Sequence, residues 1–158
     1  RDLVLGEDRF DYALKEYINR WAFKHPTPFD FFETMEDAAG EDLGWFWKGW
    51  IVNDWKLDQA VDNVEYIDQN PSNGSIITIS NQEQLPMPVI IEVRETNGKN
   101  SRVELPVEIW QQGSEWKFRY KSTSPIFSVT IDPDGKLPDV NGQNNSWRPT
   151  IYEIPERN

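Results

Sequence analysis

Apolar side chains in the first third of the chain repeat at helical spacing. Phe10, Ala13, Leu14, Tyr17, Ile18 and Trp21 follow the i, i+3, i+4, i+7, i+8, i+11 stripe of an amphipathic helix. His25-Pro26 ends that helix, because the residue before a proline avoids helical backbone angles. Thr27 then reads as an N-cap, with Pro28 at the first helical position and Asp30 in the first turn. This second helix is expected to bury Phe29, Phe32 and Met35 and to stop at Gly40. Asp42 is expected to cap a third helix whose apolar face is Leu43, Phe46, Trp47 and Trp50. Ahead of all three, Leu3, Val4 and Leu5 run into Gly6. That pattern predicts the last turn of a helix that began before Arg1.

Near residue 60 the period changes from 3.6 to two. Val89, Ile91 and Val93 alternate with Ile90, Glu92 and Arg94. Val103, Leu105, Val107 and Ile109 alternate with Glu104, Pro106, Glu108 and Trp110. Trp116, Phe118 and Tyr120 alternate with Lys117, Arg119 and Lys121, and Phe127, Val129 and Ile131 close the series. One polar face per strand marks half-buried antiparallel strands. Asn73-Gly74, Asn97-Gly98, Gly113-Ser114 and Asp134-Gly135 are the turn signals. Pro106 makes its strand an edge strand or an interrupted one. The expected fold class is α+β: a short N-terminal helical bundle over residues 1–58, then an antiparallel immunoglobulin-like β-sandwich over residues 59–158. The sandwich proper is expected to end near residue 135. Beyond Pro138 an irregular tail is expected, anchored by Trp147, Ile151, Tyr152 and Ile154.

The chain has 158 residues, 37% of them hydrophobic and 13% aromatic, which suffices for a core. A net charge of -11 argues against nucleic acid as a partner, since phosphate contacts need Lys and Arg. The same balance rules out a polybasic membrane surface, and plain solubility explains it. No apolar run approaches the roughly 18 residues of a membrane span. Cysteine is absent, so disulfides and thiolate metal sites are excluded while the compartment stays open. A periplasmic or secreted location is preferred over a cytoplasmic one, with no residue deciding it.

Candidate chemistry is sparse, and no catalytic, cofactor-binding or metal residue is assigned. A catalytic zinc site needs three protein ligands and an open position. The one histidine, His25, sits at a helix end, where interaction with backbone carbonyls is the simpler reading. No serine lies in a GxSxG context. Glu36-Asp37 and Glu41-Asp42 read as solvated helix faces and caps rather than an acid/base pair. Asp132, Asp134 and Asp139 around Gly135 suggest a calcium loop, but the glycine falls at loop position four instead of six, so a β-turn is the better reading. Asn73-Gly74-Ser75 and Asn144-Asn145-Ser146 match the short glycosylation pattern. Trp45, Phe46, Trp47 and Trp50 are the densest feature. They fit either a platform for sugar or peptide, or burial against another domain. Four large aromatics within six residues exceed what a lone three-helix unit buries.

One family orders these features in the same way. Leu5-Gly6, Phe10, Tyr17, Trp21, Thr27, Asp30-Phe31, Gly40, Asp42-Leu43, Phe46-Trp47 and Trp50 occur in the order and spacing seen near the end of the catalytic domain of the aminopeptidase N family. The match covers about fifty residues. A β-sandwich follows the catalytic domain in many members of that family, so the resemblance extends by architecture over most of the chain. It implies a non-catalytic C-terminal part of a zinc-dependent aminopeptidase, giving structural support beside an active site that lies upstream. The zinc, the HExxH motif, the third glutamate ligand and the catalytic tyrosine would belong to the full-length parent, none of them to this chain. The partners implied are the upstream catalytic domain of the same polypeptide and, in the parent, a peptide substrate. The other class is a protein- or carbohydrate-binding sandwich module with no link to peptidases.

Overall fold

The computed structural model describes residues 1–150. The anchoring expected of Ile151, Tyr152 and Ile154 lies outside the described residues. The architecture is α+β, with helices first and then two antiparallel sheets that form a sandwich. The chain divides into two compact units, Arg1–Asp54 and the remainder from Trp55.

The first unit holds α1 (Glu7–Trp21), α2 (Pro28–Ala39) and α3 (Gly44–Trp47), the last passing directly into a π-helical turn at Lys48–Val52. Glu7 and Asp8 in the first turn of α1 and Arg20 in its last turn suit the helix dipole. The trio Leu3 to Leu5 is not a helix end. Residues 2–5 form a turn, and Gly6 at φ 79° is the N-cap of α1. Nor does α1 reach His25-Pro26. Phe23 takes a left-handed φ of 63°, which breaks the helix at Trp21. The start of α2 is a capping box. Asp30 N donates to Thr27 Oγ1 at 3.4 Å, and Thr27 N donates to Asp30 Oδ2 at 2.7 Å. The Thr27 donors hold the Asp30 carboxyl below its ordinary range. Gly40 at φ 63° closes α2 in the left-handed cap that glycine favours. Asp42 acts one place earlier than expected. Leu43 is the N-cap of α3, and Asp42 Oδ1 accepts from Gly44 N at 2.9 Å.

The buried face of α1 follows the expected stripe except at Ile18, whereas that of α2 is rotated from Phe29 and Phe32 toward Phe31, Thr34, Met35 and Ala39. Only Ala13 of α1 is fully buried, together with Thr34, Met35 and Ala39 of α2. Leu5 and Leu43 complete the small core. Small residues at the closest approach let two helices pack, and the bulky residues are pushed to the margin. Ile18 and Phe29, expected inside, are exposed, with Phe29 in the first turn of α2 edge-on to Phe32 at 5.9 Å.

The second unit contains β1 (Gln59–Tyr66), β2 (Ser75–Asn81), β3 (Val89–Glu95), β4 (Asn100–Leu105), β5 (Glu115–Tyr120), β6 (Ile126–Ile131) and β7 (Ser146–Trp147). One sheet has the order β1-β2-β5 and the other β4-β3-β6-β7, all antiparallel. The chain crosses between sheets after β2, β4 and β5, the Greek-key connection of immunoglobulin-like sandwiches. The inner faces meet through Val61, Val64, Ile77, Ile79, Val89, Ile91, Val93, Ile126, Val129 and Ile131. Each such side chain contributes about 1.5–3 kcal/mol by leaving water.

Two expectations are corrected here. Ile109 and Trp110 are not in a strand. β4 ends at Leu105 on the edge of its sheet, and Pro106 opens a 3₁₀ turn, Val107–Gln112. Phe127 does not face the core. Arg94 pairs with Ser128 and Glu95 with Ile126, so Phe127 is the extra residue of a β-bulge and is turned outward. The segment after Pro138 is irregular as expected, apart from a bridge at Asp139 and the two residues of β7, and Trp147 packs against the sandwich core, but its backbone is tied down. Asp139 bridges Leu57, Val61 N donates to Asn144 O at 3.0 Å, and Ile131 N donates to Asn145 O at 2.8 Å. This asparagine-rich clasp ties β1 of one sheet to β6 of the other and delivers β7. Because Leu57 already belongs to it, the β unit is engaged before residue 59.

Candidate docking surface

The third helix and its π turn carry the aromatic cluster. Trp47 stacks on Phe32 at 4.6 Å with ring planes 15° apart. Phe31 and Phe46 meet it edge-on at 5.7 and 5.2 Å, and Tyr17 meets Phe31 edge-on at 4.8 Å. Trp47 Nε1 donates to Glu36 Oε1 at 3.0 Å, and Leu43 N donates to the same oxygen at 3.2 Å. Glu36 is therefore not the solvated carboxylate its sequence neighbourhood suggested; it fastens α3 to α2. Arg9 plays a similar part, donating to the carbonyl of Ala39 at 2.7 Å and to Glu41 at 2.8 Å. These rings leave a gap. Val4, Leu5, Phe10, Met35, Leu43, Phe46 and Trp47, with Arg1, line an apolar cavity of about 60 Å³.

Trp45, Trp47 and Trp50 are all half-buried, and none is fully enclosed. Six large apolar side chains of this unit lie open to solvent: Tyr12 (56%), Ile18 (55%), Phe23 (106%), Phe29 (70%), Ile51 (60%) and Val52 (67%). Among the described residues the β unit adds only Phe127 and Val140 to that set. The π turn is the local cause at one end. Its wider ring rotates the chain after Gly49, so that Gly49 is buried while Ile51 and Val52 point out.

No family model matches the chain, and no curated protein is similar to it at a significant level. The chemistry therefore rests on the residues themselves. His25 is exposed and makes no hydrogen bond or ion pair among the described residues, so it does not cap a helix end as expected. Among the described residues no three His, Cys, Asp or Glu side chains converge in a group able to hold a metal ion. Asp132, Asp134 and Asp139 are each occupied elsewhere. Asp132 accepts from the amides of Lys136 and Leu137, Asp134 pairs with Arg102, and Asp139 accepts from the amides of Gln59 and Asn141. Among the described residues no helix is long and apolar enough to cross a membrane.

The most perturbed carboxylate is one the sequence did not single out. Glu95 ends β3 and its side chain is fully buried. Burial alone would raise its pKa. Hydrogen bonds from Lys99, from the amide and hydroxyl of Thr123 and from Tyr120 outweigh that and hold it down to about 2. Lys99 Nζ lies 2.9 Å from Oε1, Tyr120 Oη donates to Oε1 at 2.9 Å, and Ser124 N donates to Oε2 at 2.9 Å. The carboxylate thus joins β3, the end of β5 and the crossover to β6. It is saturated with donors and closed to substrate, which marks a structural role.

Proposed function

We propose that this chain is a non-catalytic portion of a zinc-dependent aminopeptidase of the aminopeptidase N type, supporting an active site carried upstream. The observation that carries the reading is the apolar surface of the helical unit. The unit exposes six large apolar side chains and an apolar cavity beside a core of only five buried hydrophobic residues. That many large apolar side chains left in water on one small unit supports a partner covering them. The order of Gly40, Asp42-Leu43, Phe46-Trp47 and Trp50 across α3 and its flanks supports the family reading. A β-sandwich following the helices in the sequence agrees with what the resemblance implies. Zinc and the residues that polarise a scissile carbonyl would be supplied by the upstream domain.

Two measurements test this. Metal analysis of the purified chain, together with turnover of an aminoacyl chromogenic substrate, is expected to give neither stoichiometric zinc nor activity. Stoichiometric zinc with turnover overturns the reading. The reading frame upstream of Arg1 is expected to encode HExxH and a downstream glutamate, and a frame without them also overturns it.

A further inference from the structure

Three Asn-Gly pairs occur in the chain: Asn73-Gly74, Asn97-Gly98 and Asn141-Gly142. Such a pair can react with itself. The backbone nitrogen of the glycine attacks Cγ of the asparagine side chain, and no side chain on the glycine obstructs ring closure. The C–N bond of the carboxamide breaks, the amide proton leaves with the nitrogen as ammonia, and a five-membered succinimide remains. Water then opens the ring at either carbonyl, giving aspartate or isoaspartate. No electrons are transferred, and water is the only co-reactant.

The fold treats the three pairs differently. In Asn97-Gly98 every group that the ring needs is held. Asn97 Oδ1 accepts from Lys99 N at 2.9 Å, its Nδ2 donates to Thr123 Oγ1 at 3.1 Å, and Gly98 N donates to Glu95 O at 3.0 Å. In Asn73-Gly74 the side chain donates to Asp68 at 3.3 Å and Gly74 N donates to Pro71 O at 3.3 Å. Gly74 is also buried, with the Tyr120 carbonyl 3.0 Å from where a Cβ would lie. Asn141 and Gly142 are both exposed. Among the described residues neither the Asn141 carboxamide nor Gly142 N makes a hydrogen bond. Only the backbone of Asn141 is tied, its N donating to Asp139 Oδ1 at 2.8 Å.

We propose that Asn141-Gly142 is the site at which this protein spontaneously forms succinimide and isoaspartate, well ahead of the other two pairs. The site lies inside the clasp. An isoaspartate lengthens the backbone by one carbon between Asp139, which holds Gln59 N, and Asn144, which holds Val61 N.

The full chain, held at mildly alkaline pH and body temperature, is sampled over days by peptide mapping with mass spectrometry. Asn141 is expected to gain the deamidation mass several-fold faster than Asn73 or Asn97. In concentrated urea the three pairs are expected to react at similar rates, because the difference comes from the fold. Gly142→Ala is expected to suppress conversion at Asn141 and still fold, since its Cβ meets nothing within 4 Å and no positive φ is required there. Conversion of Asn73 or Asn97 as fast as Asn141 in the folded chain overturns the proposal. A lead for Asn141 that persists unchanged in urea also overturns it.

Discussion

Replacing Glu95 by glutamine removes one charge and leaves the shape of the side chain nearly intact. The folded environment holds the carboxyl down from 4.5 to about 2, which corresponds to about 3 kcal/mol favouring the folded state. Glutamine keeps an acceptor for one or two donors, but it turns its own NH₂ toward Lys99, Thr123 or Ser124. A loss of about 3 kcal/mol at neutral pH is therefore expected. The sign follows from the depressed pKa. The contribution is complete above 4.5 and is lost as pH falls toward about 2. Near about pH 3, about 2 kcal/mol of it is already gone in the native sequence. The assay is urea unfolding of the β unit at neutral pH and near pH 3, followed by the amide signals of β3 and β6. E95Q is expected to be less stable at neutral pH and to depend less on pH, so that the two proteins converge in acid. Equal stability at neutral pH, or parallel pH curves, would refute the role given to the buried carboxylate.

Trp47→Ala removes the stack on Phe32 and the hydrogen bond to Glu36, but from a half-buried site. A loss of about 2–3 kcal/mol is expected in thermal unfolding of the chain, below the ~3–5 kcal/mol of a fully buried tryptophan. Thr27→Ala opens the capping box of α2 and should cost about 1 kcal/mol, read as reduced helical circular dichroism and a lower midpoint. Gly74→Ala is strained at φ 103° and sets its Cβ 3.0 Å from the Tyr120 carbonyl, so chemical denaturation should show a loss above about 1 kcal/mol.

Period and punctuation made much of the fold legible. Thr27-Pro28 and Gly40 bracket α2 as read, and the alternation over Val89 to Arg94 and Trp116 to Tyr120 gives β3 and β5. What failed has identifiable causes. Residues 59–66 and 75–81 show no clean period of two, although the β-branched run Ile76 to Ile79 follows Gly74, because polar residues such as Gln59, Ser75 and Asn81 are buried beside the apolar ones. The bulge at Phe127 shifts the phase of β6 by one residue, which no period of two can signal. The ties of the clasp to β1 are not legible in the sequence, since they join backbone groups far apart in the chain, as in Val61 N to Asn144 O and Val140 N to Leu57 O. Within the candidate surface, the density of tryptophan was visible in the sequence. The outward turn of Ile51 and Val52 was not, as it depends on the π-helical register after Gly49. Glu95 carried no signal at all, being one carboxylate among 27 acidic residues until its donors are assembled in space.

Hydrogen–deuterium exchange tests the docking of the helical unit most directly. The segment from Trp45 to Val52 is compared in the isolated chain and in a polypeptide that includes the sequence encoded upstream. Strong protection of this segment is expected only in the longer polypeptide, with protection of the buried β3 amides unchanged. Equal exchange in the two proteins would contradict the claim that an upstream catalytic domain covers this surface.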